Sequence, residues 1–251
     1  MKKIRFFFER IMLKRFPRYK TISSNILGFP IKIPDKSSFI FMYDEIFNKE
    51  IYRFQTQTEI PVLIDCGANI GLSTIYFKTL YPKSQITSFE PDKKIFDILD
   101  DNIKSSRFDG ITLINKGLSK ESGHVSFFSE GADGGRIAVE SDKKHLATVE
   151  VTRLSPYLNK HVDFLKIDIE GSEVNVIEEC KDHLKNVDNI FIEYHSFSTK
   201  KQELDTILNI LTKAGFRYYI ERVGIESKHP FMRFENYAGY DLQLNISARK
   251  I

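Results

Sequence analysis

The sequence predicts an α/β fold, a doubly wound and mostly parallel sheet with helices on both faces. Three observations carry this expectation. Val62, Leu63 and Ile64 form a short apolar run ending at Asp65, which passes through Cys66-Gly67-Ala68-Asn69-Ile70-Gly71 into apolar residues at helical spacing as far as Leu80. A second strand over 85–89 ends in Glu90-Pro91-Asp92, setting a carboxylate just past the neighbouring strand, nineteen positions after Gly71. The fourth main strand, over 163–169, carries Phe164, Leu165, Ile167 and Ile169 and is apolar on both faces, as a strand covered by helices on two sides must be.

The elements follow in order. Residues 1–20 hold eight Lys or Arg against the single acid Glu9, interleaved with Ile4, Phe7, Phe8 and Ile11 on one helical face. Charges break the apolar run too early for a secretory segment or a spanning helix. The pattern fits a helix lying on an anionic membrane surface, and equally a helix packed on the domain or on a second copy through residues 1–16. Pro17 ends it. A lead-in follows over 21–61, with extended pieces around Phe29 to Pro34 and a helix expected over 43–54; Glu45, Glu50 and Tyr52 are placed to touch a ligand or simply to pack. The remaining residues, 62–251, form the main domain.

After Pro91-Asp92 opens it, a helix is expected over 93–104, with Ile95, Leu99 and Ile103 buried. A strand at 111–114 follows, and 124–128 with 147–152 alternate as an inserted hairpin. The loop between them is rich in glycine, at Gly131, Gly134 and Gly135, with Arg136 beside them as a candidate substrate clamp or a solvated cation. A helix over 172–184, a strand over 189–194, a helix over 202–214 closed by Gly215, and strands over 216–223 and 240–247 complete the domain. The loop 224–239, with Arg233 among aromatics, returns to the same sheet edge as a candidate substrate wall.

The glycine count bears on the ligand class. A dinucleotide needs G-x-G-x-x-G so that amides close on its pyrophosphate, whereas only Gly67 and Gly71 are present here. A cofactor carrying an ammonium and a sulfonium instead of phosphates suits an acid such as Asp65 at the strand end. The strings LIDCGANIG, SFEPD, DFLKIDIEGSE and FIEYH, in that order, resemble the FkbM-type family of S-adenosylmethionine-dependent methyltransferases over roughly 63–215. The resemblance implies a Rossmann-like class I methyltransferase sheet of seven main strands, the last antiparallel, with the hairpin inserted and an N-terminal helical extension. It also implies O-methylation of a hydroxyl on a sugar, glycan, glycolipid or related intermediate. One departure stands out: the family's T-x-L-D before the fourth strand is Thr152-Arg153-Leu154-Ser155 here, with serine for the acid.

Strand-end geometry and resemblance together assign the cofactor to Asp65, Gly67, Ala68, Asn69, Gly71, Glu90, Pro91 and Lys116. Ligands of open α/β sheets sit beyond the carboxyl ends of strands, where Asp168, Glu170, Glu193 and His195 also converge. A sugar hydroxyl needs a base. His195 is the first choice because an unperturbed imidazole titrates near working pH, with Glu193 or Asp168 orienting it or serving instead. Asp168, Glu170 and Glu193 would also suit a hard divalent cation, the less favoured alternative. Lys166 and Asp168 lie on one side of their strand and should pair.

A balance of 37 basic against 34 acidic residues argues against a nucleic-acid partner, and two cysteines without ligand spacing fit a cytoplasmic protein, at the inner membrane face if the first helix binds lipid. Two competing functions remain: a nicotinamide-dependent oxidoreductase, and a non-catalytic methyltransferase-like scaffold held at the membrane.

Overall fold

The computed structural model describes residues 2–129, 135–138, 145–224, 226–237 and 239–250, and the side chains from Phe6 onward within these ranges. It opens with α1 (Lys2–Leu13), a hairpin of β1 (Ile22–Ser24) and β2 (Ile31–Ile33), and α2 (Lys36–Tyr43), which runs into a π-helical turn over Asp44–Asn48. The helix expected over 43–54 therefore lies earlier, over 36–48, and its second part is π-helical. Asp35 sets its start by accepting from the Ser38 amide at 3.1 Å, and Glu50 ends the segment with a left-handed φ of 56°.

The main sheet then alternates with helices: β3 (Val62–Cys66), α3 (Leu72–Leu80), β4 (Gln85–Phe89), α4 (Lys93–Ser106) and β5 (Ile111–Ile114). A second sheet follows from β6 (Gly117–Leu118), β7 (Gly123–Phe128), β8 (Arg136–Ile137) and β9 (Leu146–Thr152). The expected hairpin is β7 with β9. It grows to four strands because Phe127 and Phe128 leave an edge on which Ile137 and Arg136 pair, while Gly117 and Leu118 pair parallel to β9. Gly131 and Gly134 lie outside the described residues.

The chain returns to the main sheet with β10 (Val162–Ile167), α5 (Glu173–Cys180), β11 (Val187–Phe197), α6 (Leu204–Lys213), β12 (Phe216–Val223) and β13 (Tyr240–Lys250). The strand order is β12-β13-β11-β10-β3-β4-β5, with β13 antiparallel to both neighbours and the other pairs parallel. Alternate residues feed two cores. Leu63, Phe164 and Phe191 face α3, α4 and the lead-in, whereas Ile64, Leu165 and Ile190 face α5 and α6.

Two turns shape the ligand edge. Gly67 has a φ of 84°, and a Cβ there would lie 1.8 Å from the Asp168 carbonyl oxygen, so only glycine lets β3 turn against β10. Gly71 would place its Cβ 2.7 Å from Leu99, so its role is to seat α3 on α4. Asp92 caps α4 by accepting from the Lys94 amide at 2.8 Å. Among the described residues, no helix is long and apolar enough to cross a membrane.

Candidate active site

The carboxyl ends of β3, β4, β10 and β11 surround a cavity of ≈ 150 Å³, walled on one side by the inserted sheet through Phe127, Ile137, Val149 and Val151. Gly67, Ala68, Asn69, Glu90, Pro91 and Lys116 line it. Asn69, at φ 50°, turns its amide to Glu90 Oε2 at 3.0 Å, and the Asp92 amide donates to Glu90 Oε1 at 2.9 Å. The carboxylate is thus fixed by two backbone donors while lone pairs remain for a ligand. Burial pushes its pKa up to about 8, against the pull of those two amides.

Asp65 and Gly71 are placed elsewhere. Asp65 is fully buried beneath the turn, accepts from Ser73 Oγ at 2.5 Å and Thr74 Oγ1 at 2.7 Å, and lies 3.4 Å from Lys166 Nζ. Neither residue lines the cavity. Lys166 also sits 3.3 Å from Asp168 and donates to the Gly67 carbonyl at 2.9 Å, so one buried cation ties β10 to the glycine turn. Burial opposes its charge, but Asp168 and Asp65 outweigh it and hold the pKa well above the ordinary lysine range.

Asp168, Glu170 and Glu193 face the cavity, and His195 stands behind them. The imidazole is 1% exposed, with Nδ1 3.1 Å from Glu173 Oε1 and Nε2 3.5 Å from Glu170 and 3.6 Å from Glu193. Burial disfavours its cation, yet Glu170, Glu173 and Glu193 together raise its pKa well above the usual value. Burial and the neighbouring Asp168 push Glu193 upward, and burial does the same to Glu170. Donor atoms of Asp168, Glu193 and His195 lie within 4.8 Å of one another, so a divalent cation would draw on His195 rather than Glu170.

Several site residues were not singled out from sequence. Gln243 on β13 lies 2.5 Å from Glu193 and 3.1 Å from His195 Nε2, and Tyr240 donates to Glu170 at 2.7 Å. Their signal is positional: in the antiparallel pairing Gln243 stands opposite His195. Of the lead-in residues, Glu45 and Tyr52 line the cavity, whereas Glu50 pairs with Arg53 at 2.7 Å. Arg136 packs over Phe128, 4.5 Å from the ring centre, and is not in the cavity lining. Arg233 pairs with Glu235 at 2.6 Å, its side chain 74% exposed, and also lies outside the cavity. Ser155 has a separate role: its amide and that of Leu154 donate to Glu179 at 3.0 and 3.1 Å, so Glu179 supplies a carboxylate beside the serine.

A doubly wound sheet of seven strands, its last strand antiparallel, with an acid-lined cavity over the strand ends, is the architecture of a class I methyltransferase fold. The chain belongs to the FkbM methyltransferase family, since residues 65–218 match the Methyltransferase FkbM domain. It is 27% identical over 208 residues to Methyltransferase 1 of Beauveria bassiana, covering 72% of this chain and 82% of that protein. It is 30% identical over 144 residues to the hexuronic acid methyltransferase AglP of Haloferax volcanii, covering 55% of this chain and 57% of that one. The crystal structure of an FkbM methyltransferase from Methylobacillus flagellatus superposes with a TM-score of 0.50 at 19% identity, covering 80% of this chain and 46% of that chain.

Proposed function

We propose that the protein is an S-adenosylmethionine-dependent O-methyltransferase acting on a sugar hydroxyl of a glycan or glycolipid. The observation that carries this reading is the carboxyl content of the cavity. Glu90, Asp168, Glu170 and Glu193 line it, while its lysines Lys116 and Lys166 are already paired with Glu150 at one end and with Asp65 and Asp168 at the other. Burial raises the pKa of Glu90, Glu170 and Glu193, and a bound cation would draw them into their charged form, so the site favours a cationic ligand over a diphosphate. Glu90, pinned by two amides, has acceptor capacity for a ribose diol. Bound S-adenosylmethionine would supply an electrophilic methyl group. Glu193 takes the proton of the acceptor hydroxyl, Asp168 and Glu170 would offer carboxyl oxygens to the cofactor's positive charge, and Gln243 with His195 holds Glu193 in place. The sugar acceptor accords with the hexuronic acid relative.

Calorimetric titration tests the cofactor, with S-adenosylhomocysteine against NAD and with magnesium present and absent. Saturable binding of S-adenosylhomocysteine with none of NAD is expected. NAD binding alone would give the site to an oxidoreductase, and binding of neither by folded protein would favour the scaffold.

The first helix supports a membrane-held acceptor. Phe6 stacks on Tyr43 at 4.5 Å and Leu13 is buried, so one face is docked on the domain. Glu9 faces the same way and accepts from Ser24. The face left outside carries Phe7, Phe8, Ile11 and Met12, all exposed, beside the exposed Arg10, Lys14 and Arg15. Turning the one acid inward leaves an apolar and cationic surface, which is what an anionic bilayer attracts. The protein should sediment with phosphatidylglycerol vesicles, not with phosphatidylcholine alone, and Phe8→Ser with Ile11→Ser should abolish this. Concentration-dependent dimers with no vesicle binding would instead assign the face to a second copy.

A further inference from the structure

Beyond the cavity, the same face of the sheet continues across β11, β13 and β12, with Phe191 and Asn245 buried and Arg217, Tyr219, Ser247 and Arg249 exposed. A groove of ≈ 650 Å³ lies there, floored by Phe164 and Phe191 and meeting the cavity at Ile51, which lines both. Within it Arg217 on β12 stands directly opposite Arg249 on β13. Both are exposed, and among the described residues neither forms an ion pair. Their neighbours on that face, Asn189, Tyr219 and Ser247, are not acidic. Like charges directly opposite on adjacent strands destabilise a sheet, so the fold gains nothing from this pair. An anion between the two guanidiniums would turn the repulsion into a two-armed clamp.

The position sets the ligand class. Glu193 pairs with Asn245 and Asn189 with Arg249, so the arginines lie four residues along the strands from the proposed base, about 13 Å at roughly 3.3 Å per residue. Tyr219, 68% exposed and opposite Ser247, lies between the two ends on the same face and offers a ring on which a sugar can stack. We propose that this groove is an acceptor subsite for an anionic saccharide, with its phosphate or carboxylate held by Arg217 and Arg249 and its chain running past Tyr219 to the hydroxyl at Glu193. The inference rests on the sugar methyltransferase reading and narrows it to acidic acceptors.

Nitrogen-15 NMR on the full chain tests it, with inorganic pyrophosphate, trigalacturonate and neutral maltotriose as probes, and S-adenosylhomocysteine titrated into the same samples. Pyrophosphate and trigalacturonate should shift the amides of 217–219 and 247–249, maltotriose should not, and Arg217→Ser with Arg249→Ser should weaken both acidic probes at least tenfold without changing S-adenosylhomocysteine affinity. Arg217→Lys with Arg249→Lys should retain part of the binding. Binding of pyrophosphate without trigalacturonate assigns the anion as a phosphate, and binding of both admits a carboxylate; the proposal falls if the acidic probes shift other amides, if neither binds, or if these amides respond only to protein concentration, which marks a face between copies. Failure of S-adenosylhomocysteine to bind would overturn the methyltransferase reading independently of the groove.

Discussion

Replacing Glu90 by glutamine should stabilise the ligand-free protein at pH 8 while weakening S-adenosylhomocysteine binding by about 10- to 100-fold. Glu90 is 7% exposed and its pKa stands at about 8 because burial penalises the charged form. In the unfolded chain the same group ionises near 4.5, its ordinary value. Between these limits the unfolded state releases a proton that the folded state keeps, so the group costs stability progressively as pH rises from about 4.5 toward 8. The full shift would correspond to about 4–5 kcal/mol at 1.36 kcal/mol per unit, an upper bound on the gain from a side chain that cannot ionise. The gain should shrink as pH falls toward 5. Affinity moves the other way, because a charged acceptor of two hydroxyls is lost, and hydrogen bonds to charged groups are worth about 1.5–3 kcal/mol each. In the wild type, affinity should rise as pH passes through 8 and Glu90 ionises; in the variant it should be flat. Thermal melts at pH 5 and 8 with parallel calorimetry read both effects, and a pH-independent difference between the proteins would remove Glu90 from the ribose contact.

What the sequence made legible, and what it hid, follows from where each signal lives. The glycine turn, the acid after β4 and the acids ending β10 and β11 were visible because each is a local pattern: an apolar run, a turn residue, a carboxylate. Side-chain direction at the strand end was less visible. Asp65 is one residue before the turn and points under it to Ser73 and Thr74, whereas Gly67, Ala68 and Asn69 line the cavity. Gly71 showed the need for close approach without showing that Leu99 is what approaches. Gln243 and Tyr240 carry no motif at all; they join the site only because β13 runs antiparallel beside β11. Arg217 and Arg249 are 32 positions apart by subtraction, and only the strand register makes them neighbours. Local chemistry is written in the sequence; convergence requires the topology.

The roles of Glu193 and His195 are separated by the pH dependence of turnover. Glu193→Gln should lower kcat by about 10²- to 10⁴-fold, the usual contribution of a general base, and leave S-adenosylhomocysteine affinity nearly unchanged. Glu193 lines the cavity and its pKa is raised to about 8 by burial and by Asp168, which makes it a stronger base than an ordinary carboxylate and one that is fully ionised only above that pH. The nearby His195 acts in the opposite direction, pulling the Glu193 pKa down from 3.6 Å away. His195→Gln removes that positive charge while keeping a polar side chain beside Glu173. The pKa of Glu193 should then rise further, so the acid limb of the kcat profile should move to higher pH while the plateau above it survives. In Glu193→Gln that limb should be absent. Loss of turnover at every pH in His195→Gln, with Glu193→Gln still active, would make the imidazole the base and require it to reach past the three carboxylates that now stand in front of it.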